Sequence, residues 1–502
     1  MPDQHDSSTP TGVVFPLTGG SRSTTAVGRE VLAAAARTVD GEVAATIDGE
    51  EHWRRHYGRH VRALVEAEPR SSTNAGDLPR AGLDALYDRF EFVRGSDTVL
   101  LRDAVDLGSA EPLHTATVQG HRPATELSVP YRGAKLRGDD LLRQLDRWVD
   151  KGTVEPSFAD ALGRLATNPE WLDLSRFTVV VVGAAAELGP LPQLCRWGAT
   201  VVPIDLPRPE LWTGILRHVR DGTGRAIIPL HRPVADGAND ADLAAAAGVD
   251  VTTRLPELAA WLRNLTGPLM VGTYAYAHGA DHVRVAMAQD ALVLDLLRSR
   301  DDVSVAALLT PTDVYAVPEP IVIASRSRYD AVGPVPRLAR ALSVGRALAP
   351  NYAGTIATGD GSRYGVADAI VAQQGPNYAL AKRLQRWRLR LARHEGVRVS
   401  ANVAPATRTR SVTSNRVLAA AYAGAPRFGV EVFEPDTAAT LMAALLAHDL
   451  HRPPATPEPG TPAPHELELF SDAAAHGGLW RNPYAPGSVL PLAALLGTAR
   501  RR

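Results

Sequence analysis

The stretch FTVVVVGAAAELG at 177–189 decides the fold. Its β-branched run, Thr178 to Val182, has no polar alternation, as expected of a strand buried on both faces, and it leads directly into a glycine-bearing turn. Strands of that kind belong to parallel sheets with helices on both faces. Moving outward, TVVPI (200–204), RAIIPL (225–230), PLMVGTY (268–274), VSVAALL (303–309) and VRVSANV (397–403) repeat the pattern, with helix-period segments between most of them. The alternation predicts an α/β fold whose centre, residues 171–450, is a doubly wound parallel sheet.

The chain has 502 residues, 45% of them hydrophobic, enough for a large core. Its 54 Lys and Arg against 55 Asp and Glu leave no overall field that would favour nucleic acid or an anionic membrane. Cys195 is alone, so neither an internal disulfide nor a cysteine-based metal site is expected. The polar start from Met1 to Thr11 lacks the apolar core of a signal peptide, and no apolar run approaches a membrane span. A cytoplasmic protein with no membrane span and no nucleic-acid partner is the expectation; a homo-oligomer remains open.

Residues 1–170 read as a mostly helical or mixed accessory extension, with helices from Val27 to Leu64, a polar break at 71–74, and amphipathic helices over Leu141–Val149 and Phe158–Leu165. The Pro-dense RPPATPEPGTPAP at 452–464 reads as an extended linker. The apolar, aromatic segment after it, within 451–502, is expected to dock back on the body.

Two groups of residues carry chemistry. Gly183 and Gly189 bracket a turn that follows a buried strand and is expected to open a helix. Backbone N–H groups there, from Gly183 and Ala184 to Glu187 and Leu188, are placed to receive a pyrophosphate. Asp205 ends the second strand about 22 residues after Gly183, where a carboxylate accepts hydrogen bonds from a dinucleotide ribose. An ordinary tight turn with an incidental Asp is the plain alternative. In the second group, Tyr378 and Lys382 lie four apart, on one face of a helix. With 12 Tyr in the chain and Lys only at 135, 151 and 382, chance supplies about 0.07 such pairs. An ammonium beside a phenol lowers its pKa and lets it exchange a proton with a carbonyl oxygen.

Tyr378-Ala-Leu-Ala-Lys382, the helix after it, the strand VRVSANV and the turn from Ala404 to Thr409 together resemble the catalytic helix and following strand of the short-chain dehydrogenases/reductases. GAAAELG resembles that family's glycine motif in its first and last glycines. The resemblance spans about 178–450. It implies a Rossmann fold, NAD or NADP, Tyr378 as acid/base and Lys382 as its electrostatic partner, with Pro405, Thr407 and Thr409 near the cofactor. There are departures. Glu187 replaces the middle glycine. Gly272 to Ala275 stand where the family has Asn-Asn-Ala-Gly. The usual carbonyl-binding Ser has no clean match, so Thr310 and Thr312 are expected in its place, with Ser362 as the alternative. An insert at 316–375, containing Tyr352, Asp360 and Tyr364, is expected over the pocket or as decoration.

Lesser signals are His278, Asp281 and His282, at a spacing a metal can use although no further ligand is visible; His476 with Gly477 and Gly478, expected to pack; and Arg208, which keeps NADP open where Asp205 favours NAD. The expected function is an NAD(P)-dependent oxidoreductase acting on a small-molecule carbonyl or alcohol, with no metal. The alternatives are a non-redox enzyme using bound NAD(P), such as an epimerase or dehydratase, and a non-catalytic dinucleotide-binding scaffold.

Overall fold

A computed structural model describes residues 10–17, 19–71, 75–109, 111–123, 125–359, 361–452 and 466–499. The centre is a seven-stranded sheet made of β1 (His114–Gln119), β2 (Thr178–Val182), β3 (Thr200–Ile204), β4 (Arg225–Leu230), β5 (Leu269–Thr273), β6 (Val303–Leu309) and β7 (Val399–Val403). Its order is β7-β6-β5-β2-β3-β4-β1. The strands β2 to β7 run parallel, and β1 pairs antiparallel with β4 at one edge. The parallel strands match the runs expected from sequence. β1, expected within an accessory extension, is instead part of the main sheet.

Alternation along each strand divides the core. Val180 and Val182 face one hydrophobic cluster, and Val179 and Val181 face the other. The first face carries α1 (Thr24–Ala36), α2 (Trp53–Ala67) and α3 (Asp77–Tyr87) from the N-terminal region. The second is covered in part by α4 (Gly138–Lys151) and α5 (Pro156–Thr167), with α6 (Leu191–Arg196) and α7 (Pro209–Arg220). Later in the chain, α8 (Ala280–Ser299) and α9 (Gly375–His394) join the first face and α11 (Pro435–His451) the second; α10 (Arg416–Gly424) and α12 (Pro486–Ala499) pack on each other beside the sheet. The 1–170 segment therefore contributes to both layers and to the sheet edge. α4 shows why these helices form where they do: Asp139 and Asp140 favour its N-terminus, Lys151 its C-terminus, Gly152 ends it at φ 66°, and Leu141, Leu145 and Trp148 supply one buried face.

The insert folds as a small antiparallel sheet of Val314–Pro318, Arg363–Asp368 and Ile356–Ala357, with helices over Glu319–Asp330 and Pro334–Leu342. Tyr352 is buried and its hydroxyl donates to Trp480 O at 2.7 Å, tying the insert to the C-terminal segment. That segment does lie on the body, with Phe470 and Trp480 buried. Asp360, most of the Pro-dense stretch, and the greater part of the 71–74 break lie outside the described residues. Among the described residues no helix is long and apolar enough to cross a membrane.

α9 is amphipathic in an unusual way, because Arg383, Arg386, Arg388 and Arg390 are all buried. Arg388 reaches both oxygens of Asp290 on α8 at 2.8 Å, and the Tyr87 hydroxyl of α3 donates to the same carboxylate at 2.7 Å. Arg390 pairs with Glu68 at the end of α2. Breaking a buried pair strands a charge, which costs about 3–5 kcal/mol. Arg388→Met should therefore lower unfolding free energy in urea by about 3–5 kcal/mol, while Arg388→Met together with Asp290→Leu should lose less than the single change.

Candidate functional site

The C-terminal ends of the parallel strands meet along one edge of the sheet, where open α/β sheets bind ligands. After β2, Gly183 turns with φ 89°. A Cβ there would lie 2.4 Å from Ala275 N, so the residue must be glycine. The donors of the turn are largely spent inside the protein. The Gly183 and Ala184 N–H groups donate to Ile204 O (2.8 and 3.2 Å), that of Ala186 to Gly183 O (3.0 Å) and that of Gly189 to Ala186 O (2.8 Å). Ala185 N–H donates to Asp205 Oδ2 at 2.8 Å.

Asp205 thus clasps the turn, accepting also from Leu206 N–H at 2.8 Å. Burial raises its carboxyl pKa, and the two N–H groups oppose that rise. Glu187 reaches across the cleft, where its Oε2 accepts from Arg410 N–H at 2.9 Å. Only the Glu187 and Leu188 N–H groups remain without an acceptor among the described residues.

The helix expected to open inside this turn does not. α6 starts at Leu191 and is six residues long. A helix begun near Ala184 would put Pro190 in its interior, with no N–H to give and its ring against the carbonyl four residues back. The dipole expected at the turn is correspondingly absent. On the opposite side of the cleft, the loop after β7 is also self-satisfied. The Thr407 hydroxyl donates to Pro405 O (2.8 Å), Thr409 N–H to Thr407 O (2.9 Å), and Thr409 Oγ1 lies 2.9 Å from Ser411 Oγ. Gly477 packs against Ala406 N, while His476 is buried and bonded to Glu155 Oε1 at 2.9 Å.

The second group does assemble. Tyr378, in the first turn of α9, lies close to the Thr310 side chain just after β6. Thr310 Oγ1 lies 2.8 Å from Thr312 Oγ1. Thr310 rather than Ser362 therefore meets the phenol; Ser362 immediately precedes the Arg363–Asp368 strand. A small recess opens here, bounded by Tyr378, Lys382, Thr312, Asp313, Tyr57 and the last insert residues Ile370, Gln374 and Gly375.

Lys382 does not act as the spacing suggested. Its Nζ donates to Leu308 O (3.4 Å) and Gln385 Oε1 (3.2 Å) rather than to the phenol. Burial pushes its pKa down to about 8, opposed by Asp313. Burial raises the Tyr378 phenol well above its ordinary range, and the nearby Thr310 side chain only partly offsets this. The phenol is neutral at pH 7, so it can give a proton but not take one, and its raised pKa makes it a weaker donor than an ordinary tyrosine. Below it, burial alone would raise the Asp313 carboxyl, but Arg383 at 2.9 Å and Arg386 at 2.8 Å hold it below the usual range.

The sequence reading did not foresee His282. It stacks on Tyr378 with ring centroids 5.5 Å apart and planes at 28°, and Tyr276 meets Tyr378 edge-on at 6.3 Å. AHGADH was the signal, read there only as a weak metal motif. Among the described residues no three metal-binding side chains gather. Instead, His278 meets Tyr276 Oη at 3.2 Å and Asp281 pairs with Arg284 at 2.8 Å. His282 Nδ1 accepts from Ala277 N–H at 3.4 Å, and its buried Nε2 has no partner.

Compared with known proteins, the chain matches no family model and no curated protein.

Burial, reinforced by Lys382 and then His278, pushes the His282 pKa down to about 3, so the folded protein keeps the ring neutral. The unfolded chain protonates it below about 6.5, so this residue's contribution to stability is complete above that pH and shrinks as the pH falls toward 3. It should account for about 2 kcal/mol of the stability lost between pH 7 and pH 5. Urea unfolding at both pH values should show His282→Phe losing that much less than the parent.

Proposed function

We propose that the chain is a cytoplasmic NAD(P)-dependent oxidoreductase of short-chain dehydrogenase/reductase type, in which Tyr378 donates the proton to a carbonyl oxygen. The observation that carries the reading is the place of the Tyr378 phenol beside Thr310 and Thr312, whose hydroxyls are bonded to each other, at the C-terminal edge of the sheet, with Lys382 one turn along the same helix. Strand order adds support. Counted along the chain, the parallel strands lie third-second-first-fourth-fifth-sixth, as in a dinucleotide-binding Rossmann sheet, and Gly183 stands at the switch point between β2 and β5.

When bound, the nicotinamide supplies or accepts the hydride. The residues around Tyr378 fit that half of the cofactor. The diphosphate half does not fit the turn as it stands, because Asp205 and Glu187 hold Ala185 N–H and Arg410 N–H and bring carboxylates to the anion's place. Thr310 and Thr312, bonded to each other at 2.8 Å, are the hydroxyls beside the phenol and would meet a substrate oxygen there. Lys382 keeps a positive charge close by at neutral pH, and His282 fixes the ring by stacking.

A second reading, a protein of the same fold that binds no dinucleotide, is favoured by the occupied turn. Titration of NAD and NADP by calorimetry separates the two. The oxidoreductase reading expects saturable binding of at least one nucleotide, tightened by Glu187→Gln, which removes a carboxylate facing the phosphates. Asp205 favours NAD and Arg208 leaves NADP open. No binding at millimolar concentration by either the parent or Glu187→Gln would leave the second reading standing.

Catalysis gives a separate check. Tyr378→Phe keeps the stacked ring and removes the donor, so turnover should fall by a factor on the order of 10² to 10⁴ with nucleotide affinity unchanged. Near-normal turnover would take Tyr378 out of the mechanism.

A further inference from the structure

The central sheet has two edges, and the chain treats them differently. Against β7 lies the C-terminal segment, with Ala475 N–H donating to Val403 O at 3.0 Å. The other edge is β1, which pairs with β4 on one side and, among the described residues, with no strand on the other.

Register says which backbone groups β1 leaves free. Gly120 N–H donates to Gly224 O at 2.8 Å, and the same antiparallel register runs unbroken from Gln119 opposite Arg225 to His114 opposite Leu230. Bonded and non-bonded pairs alternate in such a ladder, so Val118, Ala116 and His114 bond to β4, while Gln119, Thr117 and Thr115 turn their N–H and C=O groups outward. Pro229 O, opposite Thr115, is accordingly turned away from β1 and accepts from Gly248 N–H at 3.1 Å. Of the outward groups, Gln119 O accepts from Arg220 Nη1 at 3.2 Å and keeps a second lone pair.

Edge strands that must stay unpaired are blunted by a proline, a lysine or another charge, or a bulge. HTATVQ has none of these, and Thr115, Thr117 and Gln119 are exposed.

The strand is also complementary to itself. Two copies related by a two-fold axis at Thr117 run antiparallel, with Thr117 opposite its own copy and Thr115 opposite Gln119. All three face outward, so each pair exchanges two N–H···O bonds; a register shifted by one residue would oppose groups already bonded to β4. Paired threonines favour the contact at the axis. On the other face Ala116 meets Val118, extending the hydrophobic cluster in which Val118 is buried and against which Ala116 packs. Charge agrees, because the exposed Glu111 end of each strand comes beside the exposed Arg122 end of the other.

We propose that the free edge of β1 pairs with β1 of a second copy of this chain, joining two seven-stranded sheets into one across a two-fold axis. The pairing uses no residue of the Tyr378 site and does not depend on how that site is read.

Backbone bonds of this kind are individually modest, so the full chain is examined at tens of micromolar by sedimentation equilibrium, where it should have twice the chain mass. Thr117→Pro removes an outward N–H and leaves the β4 ladder whole; checked for folding by circular dichroism, it should weaken the dimer at least ten-fold. Thr117→Lys and Thr117→Glu are milder changes. Each places like charges opposite each other at the axis and should dissociate the dimer, whereas an equimolar mixture of the two should restore it, because this position faces its own copy. Hydrogen exchange of the outward amides of Thr115, Thr117 and Gln119 should slow as the dimer forms. A parent that stays monomeric overturns the inference and leaves the edge to an extended segment of a different protein. A dimer indifferent to Thr117→Lys, a mixture that stays dissociated, or outward amides whose exchange ignores dimer formation overturns it as well.

Discussion

The buried arginines of α9 organise this molecule. A helix with four guanidiniums in its buried face holds its place only where each finds an anion or a carbonyl, and here the partners come from four separate regions. Glu68 lies just after α2, Tyr87 and Asp290 bring in α3 and α8, and Asp313 lies in the loop after β6. Arg386 also sits over the Tyr315 ring at 4.0 Å and the Phe470 ring at 4.6 Å, adding the insert and the C-terminal segment. An ion-pair network of this kind is a poor source of net stability compared with hydrocarbon packing, but it tolerates no displacement of its members. Its effect is to fix register. The N-terminal helices, the insert and the tail are held to one helix in one arrangement.

That constraint reaches the site because Tyr378 and Lys382 belong to the first two turns of the same helix. Asp313, anchored by Arg383 and Arg386, follows Thr312 directly, so the arginines that position α9 also position the loop carrying Thr310 and Thr312. The phenol and the Thr310–Thr312 hydroxyl pair are thereby both held in place. Apolar packing surrounds them and keeps the phenol neutral. The sequence suggested a phenol acidified by its lysine neighbour. The structure has a desolvated phenol and a lysine engaged with a carbonyl and an amide, so the phenol stays protonated and the lysine does nothing to acidify it.

Parallel strands were legible because burial on both faces demands uninterrupted β-branched runs, a requirement written locally in the chain. The Tyr378–Lys382 spacing was legible for the same reason, since helical periodicity alone puts both residues on one face. Whatever depended on long-range pairing was not. HTATVQ carries no continuous apolar run, because β1 is an antiparallel edge strand with one exposed side, and nothing local says that it crosses to β4. The reach of Tyr57 into the Tyr378 recess depends on α2 packing near a helix more than 300 residues away in sequence. His282 was visible as a residue but not as a ring stacked on Tyr378, because that contact needs α8 and α9 side by side. The burial of four arginines also defied composition, which treats Arg as surface.

The two halves of the edge site pull in different directions, and electrostatics says how far. Around Tyr378, Lys382, Arg383 and Arg386 outnumber Asp313, so the surroundings of the recess are positive. At the glycine turn, Asp205 and Glu187 are negative and already satisfied by backbone N–H groups. Such donors are the ones a diphosphate needs, and a carboxylate bound to them imitates the anion it excludes. A nucleotide entering this cleft must therefore displace Asp205 from Ala185 and Glu187 from Arg410 before its phosphates gain a donor, and it meets two like charges as it does so. Glu187 stands in the position that the resembled family gives to glycine, the residue there that has no side chain to move. The turn thus sets a threshold that any dinucleotide would have to cross, whereas the Thr310–Thr312 hydroxyl pair beside Tyr378 is already in place without one.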